Sequence, residues 1–166
     1  MDQQFVLSIL VNNHFGVLTR VTSLFSRRCF NIDSLTVGET EDPDTSRITV
    51  AVQGDDYVKE QIVKQLSKLH DVKKTEIMLP NQTVFRELLL IKVETTPETK
   101  QDVMDAVNVF RAKIIDYTAS SVCVEITGEA SKNQAFIELM EQYGIIEMCR
   151  TGVVALERGT SSLINK

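Results

Sequence analysis

The chain has 166 residues and contains no tryptophan, only two histidines, three cysteines, three prolines and seven glycines. Each shortage excludes a class of protein. Cys29, Cys123 and Cys149 include no Cys-x-x-Cys pair and lie far from either histidine, so neither a disulfide framework nor a structural zinc site has its ligands. His14 and His70 are the only side chains of a type that titrates near neutrality unperturbed, which leaves a histidine-based nucleophilic centre little to draw on. The scarcity of glycine and proline rules out collagen-like and low-complexity chains. Long hydrophobic runs are missing too. The largely apolar run Phe5 to Val11 has no basic flank and is too short for a signal or a spanning segment, and no other stretch approaches the roughly 18 apolar residues a membrane helix needs. Basic residues are in deficit, with 18 Lys and Arg against 23 Asp and Glu for a net charge of −5. That balance argues against a nucleic-acid or anionic-membrane surface. A cytoplasmic chain with no nucleic-acid or membrane partner is the expectation.

What is present is enough apolar material for a packed core, 43% of residues, arranged with clear periods. Phe5 to Val11 reads as a strand. Val17, Leu18, Val21, Leu24 and Phe25 then form one stripe of a helix running from Gly16 to about Arg28. Ile32 to Thr40 and Ser46 to Gln53 flank the acidic, proline-bearing turn Glu41-Asp42-Pro43-Asp44 and read as a hairpin. Asp55-Asp56 opens a second helix with Val58, Ile62, Leu66 and Leu69 inward, and Val72 to Leu79 closes the unit as a strand. The order is βαββαβ.

After Leu79 and Pro80 the order repeats. Glu87 to Glu94 alternates as a strand, Thr96-Pro97-Glu98 starts a helix carrying Val103, Ala106, Val107 and Phe110, and Ile114 to Thr118 and Val122 to Thr127 follow as strands. A helix near Ser131 to Tyr143 places Phe136, Leu139, Met140 and Tyr143 inward, and Ile145 to Met148 closes the second unit. The fold class is α+β, two tandem ferredoxin-like βαββαβ domains over residues 1–79 and 85–166, joined by a linker at 80–84. Right-handed crossovers put both helices of such a unit on one sheet face. The other face, apolar in part, is expected to pack against another copy or chain.

Chemistry-bearing motifs are few. There is no Gly-x-Gly-x-x-Gly and no phosphate-binding Gly-rich loop, and Glu39, Glu41, Asp42 and Asp44 lack calcium-loop spacing, so no catalytic and no metal site is assigned. One place stands out. The first strand runs through Asn12-Asn13-His14-Phe15-Gly16 into the first helix, where a glycine and free backbone amides suit either a small carboxylate or a plain glycine-turn N-cap.

The stretches Asn13-His14-Phe15-Gly16-Val17-Leu18-Thr19-Arg20-Val21, Leu24-Phe25-Ser26-Arg27-Arg28-Cys29-Phe30-Asn31-Ile32-Asp33-Ser34-Leu35-Thr36-Val37 and Asp42-Pro43-Asp44-Thr45-Ser46-Arg47-Ile48-Thr49 resemble the regulatory (small) subunit of acetolactate synthase, also called acetohydroxyacid synthase. So do Phe110-Arg111-Ala112-Lys113-Ile114-Ile115-Asp116 and the run Arg150 to Gly159, so the resemblance covers nearly the whole chain. It implies an N-terminal ACT domain that pairs into a homodimer and a C-terminal ferredoxin-like domain. It further implies a non-catalytic chain that activates a large catalytic subunit and confers feedback inhibition by a branched-chain amino acid, valine foremost. By the same resemblance this chain holds no cofactor, while the catalytic subunit carries thiamine diphosphate, FAD and Mg²⁺. The effector positions it implies are Val11, Asn13, Gly16, Asn31, Thr36, Gly38 and Gln61. A freestanding ACT-type amino-acid sensor for another enzyme or regulator is the alternative. Two departures stand out: Cys29 occupies a usual glycine position, implying a tighter turn, and Gly38 stands where a small residue such as alanine is common.

Overall fold

The computed structural model describes residues 3–164. In chain order the elements are β1 (Gln3–Asn12), α1 (Val17–Arg27), β2 (Ile32–Glu39), β3 (Thr45–Gly54), α2 (Asp56–Leu66) and β4 (Val72–Ile77). A single 3-10 turn (Pro80–Gln82) leads to β5 (Thr83–Glu94), α3 (Lys100–Val109), β6 (Lys113–Tyr117), β7 (Ser121–Gly128), α4 (Ala130–Glu141), β8 (Ile145–Arg150) and β9 (Val154–Glu157). The chain divides into two units, Met1–Phe85 with Gly152–Lys166, and Arg86–Thr151. The sequence-based boundaries shift at both ends of the second unit: the expected linker at 80–84 and Phe85 fall within the first unit, and Gly152–Lys166 join it instead of completing the second. The outermost positions, 1–2 and 165–166, lie outside the described residues.

The first sheet has the order β2-β3-β1-β4, all neighbours antiparallel. Phe5, Leu7 and Ile9 of β1 lie opposite Val52, Val50 and Ile48 of β3, and these six alternate residues are buried together. Strand alternation sends them to one face, where α1 contributes Val17, Val21 and Phe25 and α2 contributes Ile62 and Leu66. Full burial of each large side chain stabilises by roughly 1.5–3 kcal/mol.

The second sheet repeats the order as β6-β7-β5-β8, with β9 pairing to β5 off that path. Leu89, Ile91 and Val93 meet Val122, Val124 and Ile126 under Val103, Ala106 and Val107 of α3 and Phe136, Ile137 and Met140 of α4. The Arg150 guanidinium closes this unit with two hydrogen bonds to Glu87, Nε at 2.6 Å and Nη2 at 2.9 Å, tying β8 to β5. That carboxylate holds the Arg150 guanidinium above its usual range, against partial burial.

Both units end their first helix in the same way. Phe30 N–H bonds to Phe25 O and Cys29 N–H to Ser26 O, while Ala112 N–H bonds to Val107 O and Arg111 N–H to Asn108 O. This is the Schellman arrangement, which asks for a left-handed residue just past the cap. Cys29 and Arg111 adopt it with φ of 57° and 53°. In the first unit the hydrophobic contact of the motif is Phe25 against Phe30, with ring centroids 6.5 Å apart.

Two local expectations shift. The helix expected to open at Thr96-Pro97-Glu98 begins at Lys100, because Thr96 and Thr99 exchange backbone-to-hydroxyl hydrogen bonds and hold residues 96–99 in a turn. Leu139 is exposed, and the inward places on α4 belong instead to Ile137 and to the fully buried Asn133, whose Nδ2 donates to Glu87 O at 3.1 Å.

The helix-free face of the first sheet is covered at least partly by the chain itself. Ser8, Leu10, Thr49 and Ala51, which alternate with the helix-facing residues, are all buried. On that parity Ser34, Thr36 and Arg47 receive the C-terminal segment: Thr36 Oγ1 donates to Val153 O at 3.2 Å and Arg47 Nη1 to Ala155 O at 3.2 Å. Ala155 and Leu163 are buried. Gly152 makes the approach possible. Its φ is +83° and a Cβ there would lie 2.9 Å from Ser34 Cβ.

Two substitutions test this account. Cys29→Gly should relieve the left-handed penalty and raise unfolding free energy by about 0.5–1 kcal/mol, net of the extra freedom of glycine in the unfolded chain. Gly152→Ala should lower it by roughly 1–3 kcal/mol. Urea denaturation midpoints read both, and a neutral Gly152→Ala would contradict the docking of the C-terminal segment.

Candidate functional site

Asn13 to Gly16 link the end of β1 to α1 on the first unit. Gly16 is the N-cap of α1 in a left-handed conformation, φ 85°, and gives the helix no side-chain cap; the first turn carries no acidic residue. The start of α1 therefore presents an uncompensated positive dipole end. Asn13 is held on the opposite side of the loop, its Nδ2 donating to Pro43 O at 2.8 Å and to Glu39 Oε1 at 3.1 Å, and its backbone N–H to Asp44 O. Phe15 is wholly exposed.

The loop is anchored by a residue that the sequence reading did not single out. Asp71 lies in the turn between α2 and β4 with its side chain only 13% exposed. Its Oδ1 is 3.0 Å from His14 Nε2, and its Oδ2 accepts from Arg20 Nε at 2.7 Å and pairs with Nη2 at 2.6 Å. Burial pushes the Asp71 carboxyl up, but the hydrogen bond and charge of Arg20, with lesser help from His14 and Asn12, outweigh it and hold the group below the usual aspartate range. No sequence signal announces this pair, whose members stand 51 positions apart.

The seven expected effector positions do not form one cavity in a single chain. Val11 is buried in the helix-side core at the end of β1, next to Asn13 and Gly16. Gly38, opposite Arg47 on the edge strand β2, is exposed, and a Cβ there would meet nothing within 4 Å. Thr36 lies two residues earlier, bonded to Val153. Asn31 precedes the other end of β2 and donates to Asp33 Oδ1 at 3.0 Å. Eight strand residues separate it from the Asn13 end, which at about 3.3 Å per residue puts the two ends of β2 some 25 Å apart. Gln61 sits half-buried on the middle of α2. None of the seven lines the groove of about 490 Å³ between α1 and α2, where Arg20, Arg27, Arg28 and Lys68 stand over Leu24 and Leu69. Among the described residues no group of three or more His, Cys, Asp or Glu is gathered as a metal ion requires, and no helix is long and apolar enough to cross a membrane.

Comparison with known proteins decides the family. Residues 7–74 match the AHAS small subunit-like ACT domain, and residues 86–159 match the family described as small subunit of acetolactate synthase. The acetolactate synthase small subunit of Mycolicibacterium smegmatis is 48% identical over 153 residues, 92% of this chain and 90% of that one. The chain belongs to the acetolactate synthase small-subunit family. The Bacillus subtilis small subunit is 45% identical over 157 residues, covering 93% of this chain and 91% of its own. A crystal structure of the small subunit from Thermotoga maritima superposes with a TM-score of 0.88 at 45% identity, covering 96% of this chain and 99% of that one. The first βαββαβ unit of this small-subunit chain is thus an ACT domain, and the Asn13–Gly16 loop is its β1–α1 connection.

The Asp71 carboxylate gives the ACT unit a defined acid sensitivity. Its folded-state pKa is lowered, so its contribution is complete above the ordinary aspartate range and is lost as the pH falls through the lowered value. Asp71→Asn should lower the melting temperature at neutral pH and flatten the acid limb of the stability curve, read by thermal melts from neutral to acid pH. An unchanged acid limb would remove Asp71 from this role.

Proposed function

We propose that the chain is the regulatory subunit of an acetolactate synthase, binding a separate catalytic subunit, raising its activity and transmitting feedback inhibition by branched-chain amino acids, valine first among them. The partnership is supported by identity of 45–48% with proteins named as small subunits of that enzyme over nearly their whole length. In this reading thiamine diphosphate, FAD and Mg²⁺ belong to the catalytic subunit, which joins pyruvate to a second 2-oxoacid. This chain supplies no reacting group.

One observation supports the effector reading: Asn31 and the Asn13–Gly16 loop lie at opposite ends of an open edge strand. β2 pairs only with β3 among the described strands, and Val37 on it and Phe15 and Leu18 beside it are exposed apolar residues. Pairing of this edge with the β2 of a second copy about a two-fold axis runs the strands antiparallel. Asn31 of one copy then lies near the Asn13–Gly16 loop of the other, and two equivalent sites form at the interface. In each, the amides at the start of α1 take the effector carboxylate, Asn13 and Asn31 orient the ammonium, and Val11 lies under the aliphatic side chain. Inhibition follows if the ligand binds one arrangement of the pair more tightly than the arrangement that activates the catalytic subunit.

The test is reconstitution with the catalytic subunit. Asn13→Ala and Gly16→Asp should abolish inhibition by valine while activation persists. Full valine sensitivity in both would place the site elsewhere, and failure of the wild-type chain to bind or activate the catalytic subunit would leave it a freestanding sensor. Calorimetric titration with valine, leucine and isoleucine ranks the effectors, with valine expected to bind most tightly.

A further inference from the structure

We infer that Asp71 is a positioning residue for the β1–α1 loop, holding it in its ligand-ready path. The inference rests on the effector reading of the loop given above. Asp71 touches the segment at three places. Its backbone carbonyl accepts Asn12 N–H at 2.9 Å, before the loop. Its Oδ1 meets His14 Nε2 at 3.0 Å, within it, and its Oδ2 takes Arg20 Nε at 2.7 Å, one turn into α1. A single residue from the α2–β4 turn therefore fixes the backbone on both sides of Gly16. Arg20 also runs beside the glycine: a Cβ on Gly16 would stand 3.2 Å from Arg20 Nη1. With Asp71 in place the guanidinium is neutralised and parked. The dipole and amides of α1 are then left to meet a carboxylate in one geometry.

His14 gives the loop its own contact with this carboxylate. Its Nε2 faces Asp71 Oδ1 at 3.0 Å and its Nδ1 faces Phe15 O at 3.2 Å. Asp42, Asp44 and Lys73, from the β2–β3 turn and β4, gather on the Asn13 side instead, which leaves the hold on the Gly16 side to Asp71.

The experiment uses the full-length chain with valine as the probe. Affinity is measured by calorimetry at neutral pH for the wild type, Asp71→Asn and Asp71→Glu, and thermal melts confirm that each is folded at the assay temperature. Asp71→Asn keeps the backbone carbonyl and removes only the carboxylate charge. It should weaken valine binding about tenfold or more, with partial recovery in Asp71→Glu. Wild-type or tighter binding by Asp71→Asn overturns the positioning role, the tighter result showing that a freed Arg20 binds the carboxylate itself. A loss in Asp71→Glu as large as that in Asp71→Asn overturns it as well, because restoring a carboxylate at that place would then not restore the hold on the loop. If the wild-type chain binds no valine, leucine or isoleucine, the effector reading fails first and takes this inference with it.

Discussion

A βαββαβ unit puts both of its helices on one face of its sheet, and the burial of the other face is the constraint on which the rest of this chain depends. In the first unit the strand residues of both parities are buried: Leu7 and Ile9 under the helices, Ser8 and Leu10 on the side without them. The solution is a returning C-terminal segment. It passes close to β2 at Gly152, is hydrogen-bonded by Thr36 and Arg47, and buries Ala155 and Leu163. The ACT unit is thus completed by residues that follow the second unit in sequence.

That arrangement shapes what remains available for function. With its helix-free face engaged by the C-terminal segment and its other face in the core, β2 offers mainly its open edge; of the residues placed by family resemblance at the effector site, Asn31, Thr36 and Gly38 lie on or next to that strand and Asn13 and Gly16 in the adjoining loop, while Val11 and Gln61 lie on β1 and α2. The loop is stiffened from the far side by Asp71, which reaches across from the turn before β4. On the proposed reading, ligand sensing draws less on a cavity than on an edge, a helix start and a pinned loop brought together by a second copy.

The element order was legible because the apolar runs have clean periods: Phe5, Leu7 and Ile9 alternate as a strand, and Val17, Val21 and Phe25 recur as a helix stripe. The Asn13–Gly16 turn was legible because glycine before an apolar stripe has a local cause. What escaped reading was non-local. Thr36 and Val153 are 117 positions apart, and β9, only four residues long, gives too short a run to announce itself. Arg20 and Asp71 are individually unremarkable charges whose pairing exists only in the folded chain. Leu139 and Ile137 compete for one helix face, and apolar character alone does not choose between them. Cys29 was noticed only as a departure from its relatives; the physical content, a non-glycine residue at φ 57°, required the backbone.

If the effector site is shared between two copies of the ACT unit, as proposed, ligand binding and pairing are one equilibrium. Linkage requires any ligand held by both partners to tighten their association. Sedimentation equilibrium of the chain alone, with and without saturating valine, tests this directly. The account predicts that valine lowers the dimer dissociation constant, with no such shift for a non-binding amino acid such as lysine. A dissociation constant unchanged by valine, in a chain that calorimetry shows to bind it, would contradict a shared site and return the effector to a single subunit.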